Sequence, residues 1–260
     1  MTPVVRDIPT ELERKQVQAA LAAHDDWFYD FSFANGASSR LDDPFIAATH
    51  LTRAELVFPE LDERFGERWR DVRCLDMACH QGWFAMQTAL RGPREVRGVD
   101  VRAEHIARAR LVAELADLDN ASFEQGNLYD LDPDREGTFD VTLFLGILYH
   151  LEDPVGALKR ARALTAELCV IETQVARPAP AVTYRWGPDP DVRTGSAIAV
   201  GRVDELHAAE GGSVVLVPTL EALYDLLYAV GFSNVRRAEP SPEAQEQYVA
   251  GERVVLFAEI

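Results

Sequence analysis

Between Val72 and Thr173 the sequence alternates short β-prone runs with helical patterns, and the first two runs each end in an aspartate just before a turn. No other feature narrows the possible folds as far. Strands are expected at Arg73 to Met77, Val96 to Val99, Ala121 to Gln125, Val141 to Leu145 and Leu168 to Thr173, with helices near Trp83 to Leu90, Ala103 to Leu118 and Pro154 to Leu164. Each parallel strand pair needs a crossover, so this alternation specifies an α/β domain: a mostly parallel sheet with helices on both faces. Beyond Gln174, Pro178, Pro180, Pro188 and Pro190 interrupt any regular element, and residues 175–213 read as an insertion able to cover a site. The tail resumes with a strand at Val214 to Val217, a helix from Thr219 to Val230 closed by Gly231, and strands at Asn234 to Ala238 and Arg253 to Ala258.

Residues 1–70 have a different texture and read as a helical and aromatic cap on a domain spanning 71–260. Leu12, Val17, Ala20 and Leu21 form a helical stripe over Thr10 to about His24, with Thr10 and Glu13 suited to a capping box. An aromatic patch follows (Trp27, Phe28, Tyr29, Phe31, Phe33), then the turn signal Asn35-Gly36 and two short helical patterns reaching Trp69. The opening MTPVVRDIPTELERK has no apolar signal core, and no run approaches the roughly 18 apolar residues of a membrane span. With an odd set of cysteines (Cys74, Cys79, Cys169) in strand-like or turn segments, this suggests core thiols and a cytoplasmic setting.

The chemistry concentrates in Cys74-Leu75-Asp76-Met77-Ala78-Cys79-His80-Gln81-Gly82-Trp83-Phe84: a strand ending in an acid, a turn of small residues, then a helix start. At the carboxyl edge of a parallel sheet such a turn faces the ligand crevice, and small residues let the backbone approach closely. A dinucleotide fingerprint would place three glycines here, but Ala78 and His80 hold the first two positions and only Gly82 remains, so a bound pyrophosphate is not expected. Asp100, followed by Val101, comes eighteen residues after Gly82 at the second strand end, where a carboxylate can accept ribose hydroxyls. Asn127 and Leu128 at the third strand end offer an amide and an apolar wall for a base. Leu145 ends the fourth strand, with Tyr149 and His150 just beyond.

Together these segments resemble the class I S-adenosylmethionine-dependent methyltransferases over about Val72 to Ala176, and "GILYHLEDP", "CVIETQV" and "SVVLVPTLEALYDLLYAVGFSNVR" resemble the tRNA wobble-uridine carboxymethyltransferase family and its relatives. The resemblance implies a Rossmann-like, seven-stranded methyltransferase fold. It also implies a cofactor site of Asp76, Ala78, Cys79, Gly82, Trp83 and Phe84 at the first turn, Asp100 and Val101 at ribose, Asn127 and Leu128 at adenine, and Leu145 and Tyr149 at the methionine part. The tRNA family has a basic leader and an arginine just before "VVLVPT" for the carboxylate of its carboxylated cofactor. This chain has an acidic leader and Gly211-Gly212-Ser213 there, which favours plain S-adenosylmethionine.

His150 is the expected general base, since an imidazole titrates near neutrality and could take a proton from an attacking hydroxyl or amine. Its alternative is a histidine satisfied at a helix start, just as Asp76 and Asp100 could be simple caps. Expected acceptor contacts are Trp27 and Tyr29 in the cap, Glu172 at the fifth strand end, and Tyr184, Arg185, Trp186 and Arg193 in the insertion. No spacing among His24, His50, His105 and His207 suggests a metal site. With 43 acidic against 26 basic side chains the formal charge is −17, which disfavours nucleic acid and favours a small-molecule acceptor, with the hydroxyl or amine of a specialised or sugar metabolite as the expected target. Two rival readings remain at this point: an RNA modifier, if Arg14, Lys15, Arg68, Arg70, Arg73, Arg185 and Arg193 gather at the pocket mouth, and a cofactor-binding module without chemistry.

Overall fold

The computed structural model describes residues 4–177, 197–202 and 214–260. Its strands are β1 (Arg73–Met77), β2 (Glu95–Asp100), β3 (Ala121–Gln125), β4 (Phe139–Leu145), β5 (Thr165–Gln174), β6 (Ile198–Arg202), β7 (Val214–Pro218), β8 (Val235–Arg237) and β9 (Arg253–Glu259). The helices are α1 (Arg14–Ala22), α2 (Pro44–Phe65), α3 (Trp83–Ala89), α4 (Ala103–Leu115), α5 (Pro133–Glu136), α6 (Pro154–Leu164), α7 (Leu220–Ala229) and α8 (Glu246–Val249). Seven strands form one sheet in the order β3-β2-β1-β4-β5-β9-β8, with β1 to β5 parallel and β9 running against both neighbours. The order reverses between β1 and β4, so the helices after them leave on opposite faces and a crevice opens at the strands' carboxyl ends.

Burial on both faces explains why the central strands read as continuous apolar runs. Alternate residues feed two cores: Cys74, Leu168 and Val170 pack with α2, α3 and α4, while Leu75, Met77, Cys169 and Ile171 pack with α6 and α7. All three cysteines are buried and free, and burial pushes their thiols well above the usual range.

Three details of the sequence reading are corrected. The capping box of α1 is formed by Glu13 and Gln16, three residues beyond the Thr10 start, because Arg14 is the first helical residue. The two short helical patterns before Trp69 are one 22-residue helix, α2, followed by a 3-10 turn at Gly66–Asp71. Pro59 sits inside α2 at a cost on the order of 3 kcal/mol, outweighed by burial of Val57, Phe58, Leu61 and Phe65 on one face. Finally, β7 stands outside the main sheet and pairs antiparallel with β6, a strand within the stretch read as unbroken insertion.

Candidate functional site

The turn after β1 carries three successive left-handed residues at alternate positions: Ala78 (φ 62°), His80 (φ 52°) and Gly82 (φ 80°). Only glycine adopts this conformation freely, so the backbone keeps the geometry of a glycine-rich turn with two side chains in place. At Gly82 the requirement is also steric, since a Cβ there would stand 2.6 Å from Phe123 Cε1 and 2.9 Å from Ala109 Cβ. Such strain is retained where surrounding packing over-determines it, typically beside ligands.

Asp100 faces this turn across the crevice. Its Oδ2 accepts from the His80 amide at 2.9 Å, and its Oδ1 accepts from the Arg102 amide at 2.9 Å and from His105 Nδ1 at 3.1 Å. Burial alone would raise this carboxyl, but the bonds from His105 and the Arg102 amide bring it below its ordinary value. A carboxylate offers about four acceptor positions, and three of those of Asp100 are taken by these donors. His80 stacks on His105 with ring centroids 3.6 Å apart, and its buried Nδ1 has no hydrogen-bond partner. Behind the turn, burial and the nearby Asp100 push Asp76 up to about 7, against a hydrogen bond from the Ala85 amide and the charge of Arg53.

A cavity of about 510 Å³ lies over these strand ends. Its floor is Ala78, Asp100, Val101, Asn127, Leu128 and Leu145; Tyr149 and His150 stand to one side, and the cap contributes Phe28, Tyr29, Phe45 and His50. The chamber suits a nucleoside joined to an amino acid. It has an acid at the end of β2, an apolar wall of Val99, Val101 and Leu128, and an orphaned imidazole nitrogen, with the buried Asp76 behind the turn.

A family model described as a methyltransferase domain matches residues 70–182. An uncharacterized methyltransferase of Schizosaccharomyces pombe is 30% identical over 142 residues, 51% of this chain and 48% of that protein, so the chain spans about half of that relative's length. The tRNA U34 carboxymethyltransferase of Helicobacter pylori is 22% identical over 197 residues, 72% of this chain and 68% of that one. The crystal structure of the N-terminal domain of EvdMO1 with S-adenosylhomocysteine bound shares the fold at a TM-score of 0.69 and 20% identity, covering 95% of this chain and 97% of that one. The same domain has been crystallised in the presence of S-adenosylhomocysteine and D-fucose.

Around the cavity the sequence-expected residues divide. Ala78, Asp100, Val101, Asn127, Leu128, Leu145, Tyr149, His150 and Tyr29 line it together. Asp76, Cys79, Gly82 and Phe84 sit behind the lining, where they shape the turn and its packing. Trp83 faces away from this chamber into a neighbouring one, its indole N–H donating to the Asp30 carbonyl at 3.0 Å. Trp27 fastens the cap to itself, donating to the Leu21 carbonyl at 3.1 Å and packing edge-on against Phe31. Tyr184, Arg185, Trp186 and Arg193 lie outside the described residues.

Glu172 does not meet the cavity as expected. Its carboxylate is fully buried between Arg53 (2.8 Å) and Arg253 (2.8 Å), and Tyr248 donates to it at 2.9 Å. Burial would raise Glu172, but the two guanidiniums and the phenol hold it below its usual range. Both arginines line the cavity, Arg253 reaching to 3.4 Å from the Tyr149 hydroxyl. The helix α2 and the strand β9 thus supply two cations to the cavity lining. The sequence reading missed both. Arg53 could have been found as a lone cation on the apolar stripe of α2, beside Thr49, Ala54 and Val57. Gly146 (φ 71°) accommodates it, since a Cβ there would lie 3.3 Å from the guanidinium.

Proposed function

We propose that this chain uses S-adenosylmethionine to methylate a hydroxyl or amine of a small-molecule acceptor. The observation that carries the reading is the 510 Å³ chamber at the switch point, half built from sheet ends and half from cap rings, a volume suited to a cofactor and a small acceptor. Among cations that could have formed an RNA-facing mouth, Arg14, Lys15, Arg68, Arg70 and Arg73 do not line the chamber. Lys15, Arg68 and Arg73 instead pair with Glu13, Glu167 and Glu95. The sugar crystallised with the EvdMO1 domain lends support to an acceptor of that kind.

When bound, the cofactor supplies a methyl group activated by its sulfonium. Asp100 would hold the ribose, while Asn127 and Leu128 would hold the adenine. Asp76 and Arg53 present opposite charges suited to the ammonium and carboxylate of an amino acid, and a cation beside Asp76 returns that carboxyl to its charged form. Phe28, Tyr29 and Phe45 exclude water over the chamber, which strengthens these contacts and favours aligned reactants. His150 accepts the proton from the acceptor's attacking group.

A second reading is favoured by one observation: Arg253 beside Tyr149 could pair with the extra carboxylate of a carboxylated cofactor. Calorimetric titration with S-adenosylmethionine, S-adenosylhomocysteine and the carboxylated cofactor separates the two. Saturable binding of the first two, lost in Asp100→Ala, is expected. Preference for the third transfers the assignment to carboxymethyl transfer, and no binding of any refutes both.

A further inference from the structure

A second cavity of about 220 Å³ adjoins the first, bounded by the cap and by Trp83 at the start of α3. Tyr29 and His50 line both chambers, and their rings stack at 4.2 Å with 27° between planes, so the partition is one pair of rings thick. The volume lies below the roughly 300 Å³ at which whole-ligand pockets begin. It therefore suits one portion of a larger molecule.

The lining defines the chemistry of that portion. Tyr29 and Trp83 bring aromatic surface, and the bond from Trp83 to the Asp30 carbonyl fixes the indole edge. Such faces favour a ring with C–H groups on its flat side. Asp30 and Ser32 supply the polar side, the Ser32 hydroxyl lying 3.4 Å from Asp30 Oδ1. An ionised carboxylate only accepts, so it selects hydrogen-bond donors. Two donor classes qualify, hydroxyls and ammonium groups, and the surroundings discriminate between them. The imidazole of His50 is kept neutral by burial and by Arg53, and beyond the ring pair Arg53 and Arg253 share the single carboxylate of Glu172, which leaves one net positive charge behind the partition and suits a neutral donor better than a cationic one. Asp30 is itself raised by burial, opposed by the Ser32 hydroxyl.

We propose that the second chamber is the distal part of the acceptor site and takes a neutral hydroxylated ring of the sugar class, stacked on Tyr29 or Trp83 and hydrogen-bonded to Asp30. The inference rests on the methyl-transfer reading, with the reacting group on the main-cavity side of the Tyr29–His50 pair and the sugar ring beyond it. The rings part to join the chambers. Specificity then resides in the cap, and cofactor binding resides in the sheet.

The test is saturation-transfer NMR with methyl β-D-glucopyranoside as probe, its 2-amino-2-deoxy analogue as the cationic arm and cyclohexanol as the apolar arm, with and without S-adenosylhomocysteine. Leu51, half exposed at the chamber wall and absent from the main cavity's lining, is changed to Trp to fill the chamber, and Asp30→Asn removes the acceptor charge. The pyranoside is expected to bind the wild type and to weaken at least tenfold in both variants, while titration with S-adenosylhomocysteine is unchanged. No pyranoside binding, binding in either variant as strong as in the wild type, or stronger binding of the amino analogue or cyclohexanol overturns the proposal. Failure of S-adenosylhomocysteine to bind the wild type refutes the methyl-transfer reading instead, and the pyranoside signal measured without it still decides what the chamber accepts.

Discussion

Replacing Asp76 with Asn is expected to stabilise the ligand-free protein while abolishing cofactor binding, with a pH dependence that identifies the cause. Burial and Asp100 raise this carboxyl from 3.8 to about 7. The folded state thus binds the Asp76 proton more tightly than the unfolded state does. That contribution is fully present below pH 3.8 and is lost as pH rises to about 7. A shift of about 3 units at 1.36 kcal/mol each makes the cost of the buried charge about 4 kcal/mol at neutral pH and above. Asparagine has the shape of the protonated acid and does not titrate. Its advantage over the wild type should be near zero at pH 4, roughly 1.5 to 2 kcal/mol at pH 5, and about 4 kcal/mol from pH 7 upward. Urea denaturation across that range measures the difference directly. Wild-type affinity for S-adenosylmethionine should rise about tenfold per pH unit up to about pH 7 and then level off, because the cofactor's ammonium pairs with the ionised form. A constant offset between variant and wild type, or a less stable variant at pH 8, refutes the argument.

Gly82→Ala combines a positive φ with a 2.6 Å approach to Phe123 and is expected to cost about 3 kcal/mol, read as a lowered urea midpoint. Glu172→Ala leaves two buried guanidiniums without their carboxylate and should cost roughly 3 to 5 kcal/mol, with Glu172→Gln recovering part of the loss in thermal denaturation because it keeps the bond to Tyr248. His150→Ala is expected to lower kcat by a factor on the order of 100 or more once an acceptor is in hand; calorimetric affinity for S-adenosylmethionine should stay unchanged, and unchanged turnover would remove His150 from the proton-transfer role.

The sheet-edge half of the candidate site was legible because its signals are local. Asp76, the turn to Gly82 and Asp100 lie within one strand-turn-helix-strand unit, and their order and spacing survive where Ala78 and His80 replace glycine. The sheet was legible for the same reason, since its central strands are apolar runs bounded by turns. The acceptor side was not. Arg53 and Arg253 belong to elements that look ordinary in sequence, one an amphipathic helix interrupted by Pro59 and the other the last strand of the sheet. Only tertiary packing makes them neighbours of Glu172. Trp27 and Trp83 were read as ligand contacts from their residue type, yet the direction of each indole is set by a backbone carbonyl of the cap.

The position of β9 bears on how this protein must assemble. Residues 253–259 form an inner strand, inserted between β5 and β8, and its first residue closes the ion cluster by meeting Glu172 across 81 positions of sequence. On a ribosome the parallel half of the sheet can emerge and begin to pack while Glu172 has only one of its two cations and β5 still has an open edge. Non-local pairing of this kind is slow, and open strand edges invite pairing with other chains. The interval between synthesis of β5 and delivery of β9 is therefore when a nascent chain is most exposed to aggregation, and when a chaperone has most to protect.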